Sequence, residues 1–264
     1  MTSQFQTAIY REPTLQSPSM KTHGRQPRSQ RNDTVANAAQ RAYQLIRQRI
    51  LDLTLEPGQR ISEHELAAEM GLSRTPVHQA VQRLADEGLI EIFQRVGTFV
   101  ARIPINGLEE AMLVRTALEV AVIERVAERI TPDGMTHLRT ILQKQQDCVA
   151  RMDYQGFHQS DEAFHAALAD IAGFPGIWAT VQQAKIQIDR FRHLTLPLAG
   201  RMEGVVQEHS AVVDALSKGQ GDKAAEAMRE HLGHVLPVVE VTRAFRPEFF
   251  VNRNAGDSSL TGTL

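Results

Sequence analysis

The sequence predicts a mainly α-helical protein, in which N-terminal helices and a small β-hairpin precede an all-α helical bundle. Beyond Leu108, apolar residues recur at helical spacing and no strand pattern is found. Before it, two short segments rich in β-branched and aromatic residues, LIEIF and TFVAR, are joined by QRVG, which indicates a hairpin. A length of 264 residues is sufficient for two domains.

The composition is that of a globular protein, with 42% hydrophobic and 23% charged residues. Cys148 is the single cysteine, so no internal disulfide can form, and no apolar run approaches the ~18 residues of a membrane span. We therefore expect a cytoplasmic protein without a membrane partner. Residues 1–102 contain 13 lysines and arginines against 10 acidic residues, whereas residues 103–264 contain 16 against 21. This distribution favours a polyanion as the partner of the N-terminal part.

The first helices follow from apolar spacing and capping residues. An apolar stripe predicts a helix over about 34–53. Further on, Ser62 with Glu65 three residues later is the pattern of a capping box, which predicts the start of a second helix. Gly71 is the expected end of that helix, because glycine adopts the left-handed conformation that commonly terminates helices.

A third helix follows after a turn of three residues, which is the arrangement of a helix-turn-helix. It begins after Ser73, ends at Gly88 and presents a face of hydrogen-bonding side chains. With the hairpin as a wing, this is a winged helix-turn-helix whose last helix would enter the DNA major groove, since base edges offer both donors and acceptors. A solvated helix face is the alternative interpretation. The residues expected at double-stranded DNA from this face are Ser73, Arg74, Thr75, His78, Gln79 and Arg83.

Six amphipathic helices account for the C-terminal part, separated by glycine, proline and polar residues. Their predicted ranges are about 108–129, 132–152, 154–172, 176–195, 201–218 and 222–240. The predicted organisation is therefore a disordered polar tail, two domains and a C-terminal tail, over residues 1–33, 34–103, 108–240 and 241–264 respectively.

Histidines are concentrated in the bundle. Asp161 and His165 are four residues apart and share a helical face. His209 and His231 each lie ten residues from the glycine turn at 219–221, so antiparallel helices joined by that turn would place the two imidazoles side by side. One carboxylate and three imidazoles suit Zn²⁺, with nickel or manganese as other candidates. For the i,i+4 pair, a surface hydrogen bond is the alternative.

The segment EPGQRISEHELAAEMGLSRTPVHQAVQRLADEGLIEI, together with VGTFV, resembles the winged helix-turn-helix of GntR-type bacterial transcription regulators over about residues 38–102. The resemblance implies a homodimer that binds a pseudo-palindromic operator and responds to a small-molecule effector. It also implies that Arg74 contacts bases and that Gly97 forms the wing tip near the minor groove. His64 and His78 stand where the family usually has arginine, so we expect operator binding that is weaker and more sensitive to salt and pH, or an altered base preference.

The bundle is similar to the C-terminal domain of FadR, called FCD, over about residues 108–240. The similarity rests on the motif D...FH and on the two later histidines. It implies a divalent metal ion and a pocket for a small carboxylate effector, such as a hydroxy or sugar acid. The metal ligands that it implies are Asp161, His165, His209 and His231.

Two arginines are candidates for binding the effector carboxylate. Arg115, in VRTALE, matches the pocket arginine of the FCD first helix, although an Arg115–Glu119 surface ion pair is an equal alternative. Arg190, in QIDRFRHL, is the second candidate, with a solvated face or a dimer contact as its alternative. Two other functions remain open: a metal-dependent hydrolase fused to a DNA-binding module, and a regulator whose metal is purely structural.

Overall fold

The N-terminal part forms the predicted winged helix-turn-helix, and the mainly α fold class is confirmed. The computed structural model describes residues 28–252, with side chains from residue 37 onward. The elements of this part are α1 (Arg28–Leu51), β1 (Arg60–Ile61), α2 (Glu63–Met70), α3 (Arg74–Asp86), β2 (Ile90–Phe93) and β3 (Gly97–Val100).

The core of this domain lies between α1 and α3. Ile46 and Ile50 of α1 pack with Val77 and Leu84 of α3, and all four side chains are fully buried. Because the apolar residues of α3 recur at helical spacing, its opposite face remains exposed. The polar side chains identified in the sequence occupy that exposed face.

Helix α2 begins and ends at the residues that the capping pattern predicts. The backbone N–H of Glu65 donates to Ser62 Oγ at 3.3 Å. Gly71 has a φ of 64°, in the left-handed region that glycine adopts without steric cost. Ser73 is the N-cap of α3, but its side chain makes no capping hydrogen bond. The Ser73 hydroxyl is therefore exposed at the start of α3.

The hairpin of β2 and β3 is antiparallel, with Ile90 opposite Val100 and Phe93 opposite Gly97. Strand β1, which was not predicted, pairs with the other edge of β3. Two residues are too few for an alternating pattern to be visible in a sequence. Gly97 has a φ of 148°, and a Cβ there would lie 2.9 Å from Arg60 Nε, so this tip of the wing requires glycine.

The C-terminal part is a helical bundle, and one short parallel strand pair joins its two ends. Its helices pack around a core that includes Leu108, Phe164 and Leu232. The elements are β4 (Ile103–Pro104), α4 (Ile105–Arg129), α5 (Pro132–Arg151), α6 (Tyr154–Ala172), α7 (Pro175–Ala184), α8 (Ile186–Thr195), α9 (Arg201–Ser217), α10 (Gly221–Gly233), α11 (Val235–Phe245), a 3₁₀ turn (Pro247–Phe249) and β5 (Phe250–Val251).

Two of the six predicted helices are each divided in two. The helix predicted over 176–195 is interrupted at Lys185, where ψ is 6°. The last predicted helix is interrupted at His234. There the sequence carried a signal, because Pro237 has no N–H to donate to the carbonyl of Gly233 and cannot continue the same helix.

The predicted N-terminal tail is partly wrong, because α1 already begins at Arg28 and residues 28–33 are helical. Residues 1–27 of that tail lie outside the described residues. No described helix has the length and apolar character needed to cross a membrane.

The predicted C-terminal tail is also partly wrong. Residues 246–251, called the C-terminal strap below, return to the body of the bundle. The exposed fractions of Phe249 and Phe250 are 3% and 7%, and both rings belong to the bundle core. Strand β5 pairs with β4, so that Phe250 is opposite Ile103, at the junction of the two domains. Burial of two phenylalanines therefore orders a segment that lacks helical periodicity; residues 253–264 lie outside the described residues.

We predict that Phe249→Ala lowers the free energy of unfolding of the bundle by about 3 kcal/mol, because it removes a buried aromatic ring. Trp178 is the only tryptophan and lies on α7, so its fluorescence in urea reports on the bundle. The control is Met152→Ala, since Met152 is 70% exposed at the end of α5 and its truncation should cost less than about 0.5 kcal/mol. Equal effects of the two substitutions would contradict the burial of the strap.

Candidate functional site

Three buried histidines from three helices meet in the bundle. His165 lies on α6, His209 on α9 and His231 on α10, and each offers a ring nitrogen within 4.8 Å of the others. The Nε2 atoms of His209 and His231 are 3.3 Å apart. Helices α9 and α10 pack against each other on either side of their glycine turn, which brings these two imidazoles together.

The partners of His209 and His231 fix which nitrogen carries the proton. His209 Nδ1 lies 3.0 Å from Gln145 Oε1, and His231 Nδ1 lies 2.6 Å from Glu208 Oε2. Because both oxygens are acceptors, each Nδ1 is the protonated nitrogen and donates. Both Nε2 atoms therefore face each other with lone pairs and no proton between them.

Burial keeps both rings neutral. It lowers the pKa of His209 well below its usual range, and the neighbouring His231 adds to this effect. Burial also lowers the pKa of His231 to about 4, although the hydrogen bond to Glu208 opposes the shift. At neutral pH both rings can therefore act as ligands, since a metal binds the unprotonated nitrogen.

His165 completes the group from the opposite side. Its Nδ1 lies 2.5 Å from Glu119 Oε2, and its Nε2 lies 3.4 Å from Arg115 Nη2. Arg115 Nε donates to Glu119 Oε1 at 2.6 Å. Although burial opposes the shift, Arg115 and His165 lower the pKa of Glu119. The Arg115–Glu119 pair considered for the surface is thus present, but it is buried against the cluster.

Asp161 is fully buried beside the histidines, with its oxygens 3.8 Å from His209 Nε2 and 4.0 Å from His165 Nε2. Both oxygens accept hydrogen bonds from the guanidinium of Arg192. Arg192 overcomes the effect of burial and holds the pKa of Asp161 well below its usual range. The four predicted ligands are brought together, but the carboxylate is engaged by an arginine that sequence reasoning missed.

The prediction that Arg190 binds an effector beside the cluster is corrected by the structure. Arg190 donates from Nη2 to the backbone carbonyl of Ala101 and from Nη1 to Gln187 Oε1 at 2.9 Å. Residues two apart on a helix point in nearly opposite directions, so only one arginine of DRFR can face the histidines. That arginine is Arg192, whereas Arg190 faces the junction between the domains.

A second group of potential ligands, His158, Glu162 and Asp189, lines a cavity of about 720 Å³ between the domains. Here the chain supplies its own cation. The ammonium of Lys185 lies 2.6 Å from Glu162 Oε1 and also contacts Asp189. The ammonium thus lies where a cation would contact both carboxylates.

The predicted DNA-binding side chains at the start of α3 are exposed. Arg74 Nη2 lies 3.4 Å from His64 Nδ1, and His78 Nδ1 lies 3.1 Å from Glu63. Both His64 and His78 therefore contact a neighbouring side chain on the same surface. The exposed members of the predicted set are His64, Ser73, Arg74, Thr75, His78, Gln79 and Arg83, while Gly97 is half-buried at the wing tip.

Arg83, the last member of the predicted set on α3, is exposed and also makes contacts within the winged domain. Its guanidinium lies 3.7 Å from the ring centre of Tyr43 and donates to Glu87 and to Gln40. These contacts tie α3 to α1, and Arg83 lines the interdomain cavity. It is one turn further along α3 than Gln79, on the same side of the helix.

Comparison with known proteins gives two family matches. Residues 38–100 match the bacterial regulatory proteins of the gntR family, and residues 110–234 match the FCD domain. The chain is 37% identical to an uncharacterised HTH-type transcriptional regulator from an unstable DNA locus of Streptomyces ambofaciens, over 79% of this chain and 87% of that protein. It is 30% identical to the HTH-type transcriptional repressor RspR of Escherichia coli K12, over 80% and 92%.

Solved structures share the fold at low identity. McbR/YncC of E. coli superposes with a TM-score of 0.65 at 17% identity, covering 77% of this chain and 97% of that chain. A putative GntR regulator from Rhodococcus sp. RHA1 gives 0.64 at 22%, with the same coverage. Both of these relatives and the Rhodococcus structure are described as transcriptional regulators.

We predict that acidification destabilises the metal-free bundle through His231. In the unfolded chain, His231 binds a proton below its pKa of 6.5. In the native bundle, the pKa of the same ring is about 4, so the ring stays neutral until the pH is much lower. The contribution of His231 to the free energy of unfolding is thus present above pH 6.5 and is lost as the pH falls toward 4. Between pH 7 and about 4.5 we expect wild type to lose about 2 kcal/mol more than His231→Gln.

The measurement is urea unfolding followed by Trp178 fluorescence, with a chelator present. His137→Gln is the control, because His137 is exposed on α5 and its substitution should leave the wild-type pH dependence intact. The same loss of stability in His231→Gln as in wild type would contradict the assignment.

Proposed function

The chain belongs to the GntR family and is a transcriptional regulator with an FCD domain, and we propose that it binds a pseudo-palindromic operator as a homodimer under the control of a metal-assisted carboxylate pocket. Because its relatives are regulators, the hydrolase alternative is set aside. The observation that carries the metal proposal is the convergence of ring nitrogens from His165, His209 and His231 beside the carboxylate of Asp161.

Operator binding rests on the first two turns of α3. Arg74 is exposed and has a guanidinium fork that matches a guanine edge, and Gln79 can pair with adenine. Thr75 and Ser73 lie at the exposed N-terminus of the helix, where hydroxyls reach phosphates. The wing tip at Gly97 would approach the minor groove. We therefore assign base reading to α3 and positioning to its N-terminus and the wing.

Dimer formation is supported by exposed apolar side chains on two packed helices. Leu113 on α4 is 73% exposed, and Val241 and Phe245 on α11 are 55% and 79% exposed. Helices α4 and α11 contact each other. A two-fold dimer would bury such side chains, and its symmetry would explain a pseudo-palindromic operator.

The chemistry of the cluster fits a divalent cation. The 3.3 Å between the facing Nε2 atoms is close to the ~3.4 Å that separates two ligands of a tetrahedral Zn²⁺. Gln145, Glu208 and Glu119 orient the three imidazoles from behind, as carboxylate and amide groups do in metal sites. We propose Zn²⁺, with Ni²⁺ or Mn²⁺ as other occupants, held by the residues His165, His209, His231 and Asp161.

The bound metal would supply a cationic centre to which a small carboxylate can bind. Arg115 and Arg192 would complete its recognition, because both guanidinium groups already lie beside the cluster. The space next to His165 and Trp178 is only about 10 Å³, room for about one water molecule. An organic acid therefore requires the walls of this pocket to move, which links effector binding to a change in helix packing.

A purely structural metal is the second candidate. It is favoured by the complete enclosure of the cluster, since His209 is 0% and His165 2% exposed. A structural ion would raise bundle stability without changing operator affinity. An effector-coupled ion would change both.

We predict that Zn²⁺ raises the thermal unfolding midpoint of the bundle. An ion at about 100 times its Kd stabilises the native state by about 2.7 kcal/mol, which corresponds to roughly 5–10 °C. His209→Ala removes one of the facing nitrogens and should abolish the shift. His234→Ala is the matched control, because His234 is exposed and only contacts Glu208 from outside the cluster. An unchanged shift in His209→Ala would refute the site.

We predict that His78→Arg strengthens operator binding several-fold at low salt, because arginine restores a permanent charge at the DNA surface. The slope of log affinity against log salt should steepen by about one. The operator is first selected from fragmented genomic DNA of the source organism, and affinities are then measured by fluorescence anisotropy. Gln143→Arg, which adds the same charge on exposed α5, is the control. No gain at any salt concentration would count against the role of position 78.

A further inference from the structure

We propose that α8 transmits the state of the metal cluster to the interdomain linker, residues 101–104, through three consecutive residues. Arg192 contacts the cluster, Phe191 contacts the C-terminal strap, and Arg190 contacts the linker. The inference rests on the proposed metal site and specifies how that site would reach the DNA-binding domain.

At the cluster, Arg192 and a metal ion compete for one carboxylate. Both oxygens of Asp161 are occupied by the Arg192 guanidinium, and Asp161 is fully buried. Coordination by Asp161 withdraws an oxygen from Arg192. Because Arg192 is itself 6% exposed, its charge cannot be transferred to bulk water without a movement of its side chain or of α8.

On its second side, α8 supports the C-terminal strap. The rings of Phe191 and Phe250 meet edge to face with centroids 6.3 Å apart, and both are buried. Phe250 is also the residue of β5 that pairs with Ile103 of the linker. A displacement of Phe191 would therefore move Phe250, and with it the β4–β5 strand pair at the domain junction.

On its third side, α8 holds the linker directly. The fully buried guanidinium of Arg190 donates to the carbonyl of Ala101. Its Nε has no hydrogen-bond partner among the residues that the structure describes. The guanidinium also donates to Gln187 of α8. Because a buried cation loses free energy when it is separated from its acceptors, Arg190 and Ala101 are expected to move together.

The strap reaches the DNA-binding domain as well. Arg102 Nε donates to the backbone carbonyl of Glu248 at 2.9 Å, which fastens the linker to the strap. Arg246 Nη2 lies 3.7 Å from Glu56 Oε1, in the turn before β1. Helix α8 also contacts α1. The short α8 is thus in contact with the cluster, the strap, the linker and the winged domain.

The test compares full-length wild type with Arg190→Gln, with Zn²⁺ alone as the probe. Hydrogen exchange is measured at the amides of residues 101–103 and 248–251, with Zn²⁺ and with a chelator, and operator affinity is measured under both conditions. In wild type we expect Zn²⁺ to change exchange in both segments and operator affinity by about 5-fold or more. Arg190→Gln should bind Zn²⁺ within about two-fold of wild type and lose both responses.

Two control variants distinguish loss of this relay, the path from the cluster through α8 to the linker, from loss of folding. Arg229→Gln makes the same change at an exposed ion pair on α10 and should respond as wild type does. If Arg190→Gln does not fold, Phe250→Ala interrupts the strap contact instead and is compared with Met152→Ala, which truncates an exposed side chain outside the strap and the proposed dimer surface.

The other possible results bear on the relay, on the metal site or on both. Full responses in the Arg190 and Phe250 variants would overturn the relay. A wild-type protein that binds Zn²⁺ without either response would overturn the relay and leave a structural metal. A wild-type protein that does not bind Zn²⁺ would overturn the proposed metal site, and with it the relay.

Discussion

The pairing of Asp161 with Arg192 is the interaction on which the interior of the bundle depends. A carboxylate that is fully buried cannot remain ionised without a partner, and the neighbouring imidazoles of His165 and His209 are too far away to pair with it directly. Arg192 supplies that partner with two hydrogen bonds. Together with the buried side chains of Ile188 and Phe191, this contact positions α8. Arg190, two residues before Arg192, therefore points away from the cluster. A single buried ion pair thus connects the histidine cluster to the geometry of the domain junction.

Around this pair, the polar groups are arranged in two layers. The inner layer consists of the histidine ring nitrogens that converge beside Asp161, and the outer layer consists of the groups that contact each ring from behind, Gln145, Glu208 and Glu119. The outer groups matter because they decide which nitrogen is free to bind a cation. The interdomain group around Lys185 is a contrast, since there an ammonium of the chain itself contacts both carboxylates.

The candidate site was partly visible in the sequence. The spacing of Asp161 and His165, and the symmetric placement of His209 and His231 about a glycine turn, depend only on helix geometry, and the structure brings these residues together. Arg192 was missed because DRFR offers two arginines and local spacing does not say which one faces inward. The outer acceptors were missed because Gln145 and Glu208 lie on other helices, 64 residues and 23 residues from the histidines that they contact.

The sequence by itself determined the fold class, the extents of most helices, the turn of the helix-turn-helix and the hairpin, because capping residues, glycines and apolar periodicity act over a few residues. The tertiary structure alone decided that α7 separates from α8 at Lys185, that Arg83 packs on Tyr43, and that Phe249 and Phe250 bring the C-terminal strap to the linker. These features result from the burial of charges and rings against partners distant in the chain. No local pattern encodes such contacts, since their stability comes from the packing of the whole domain.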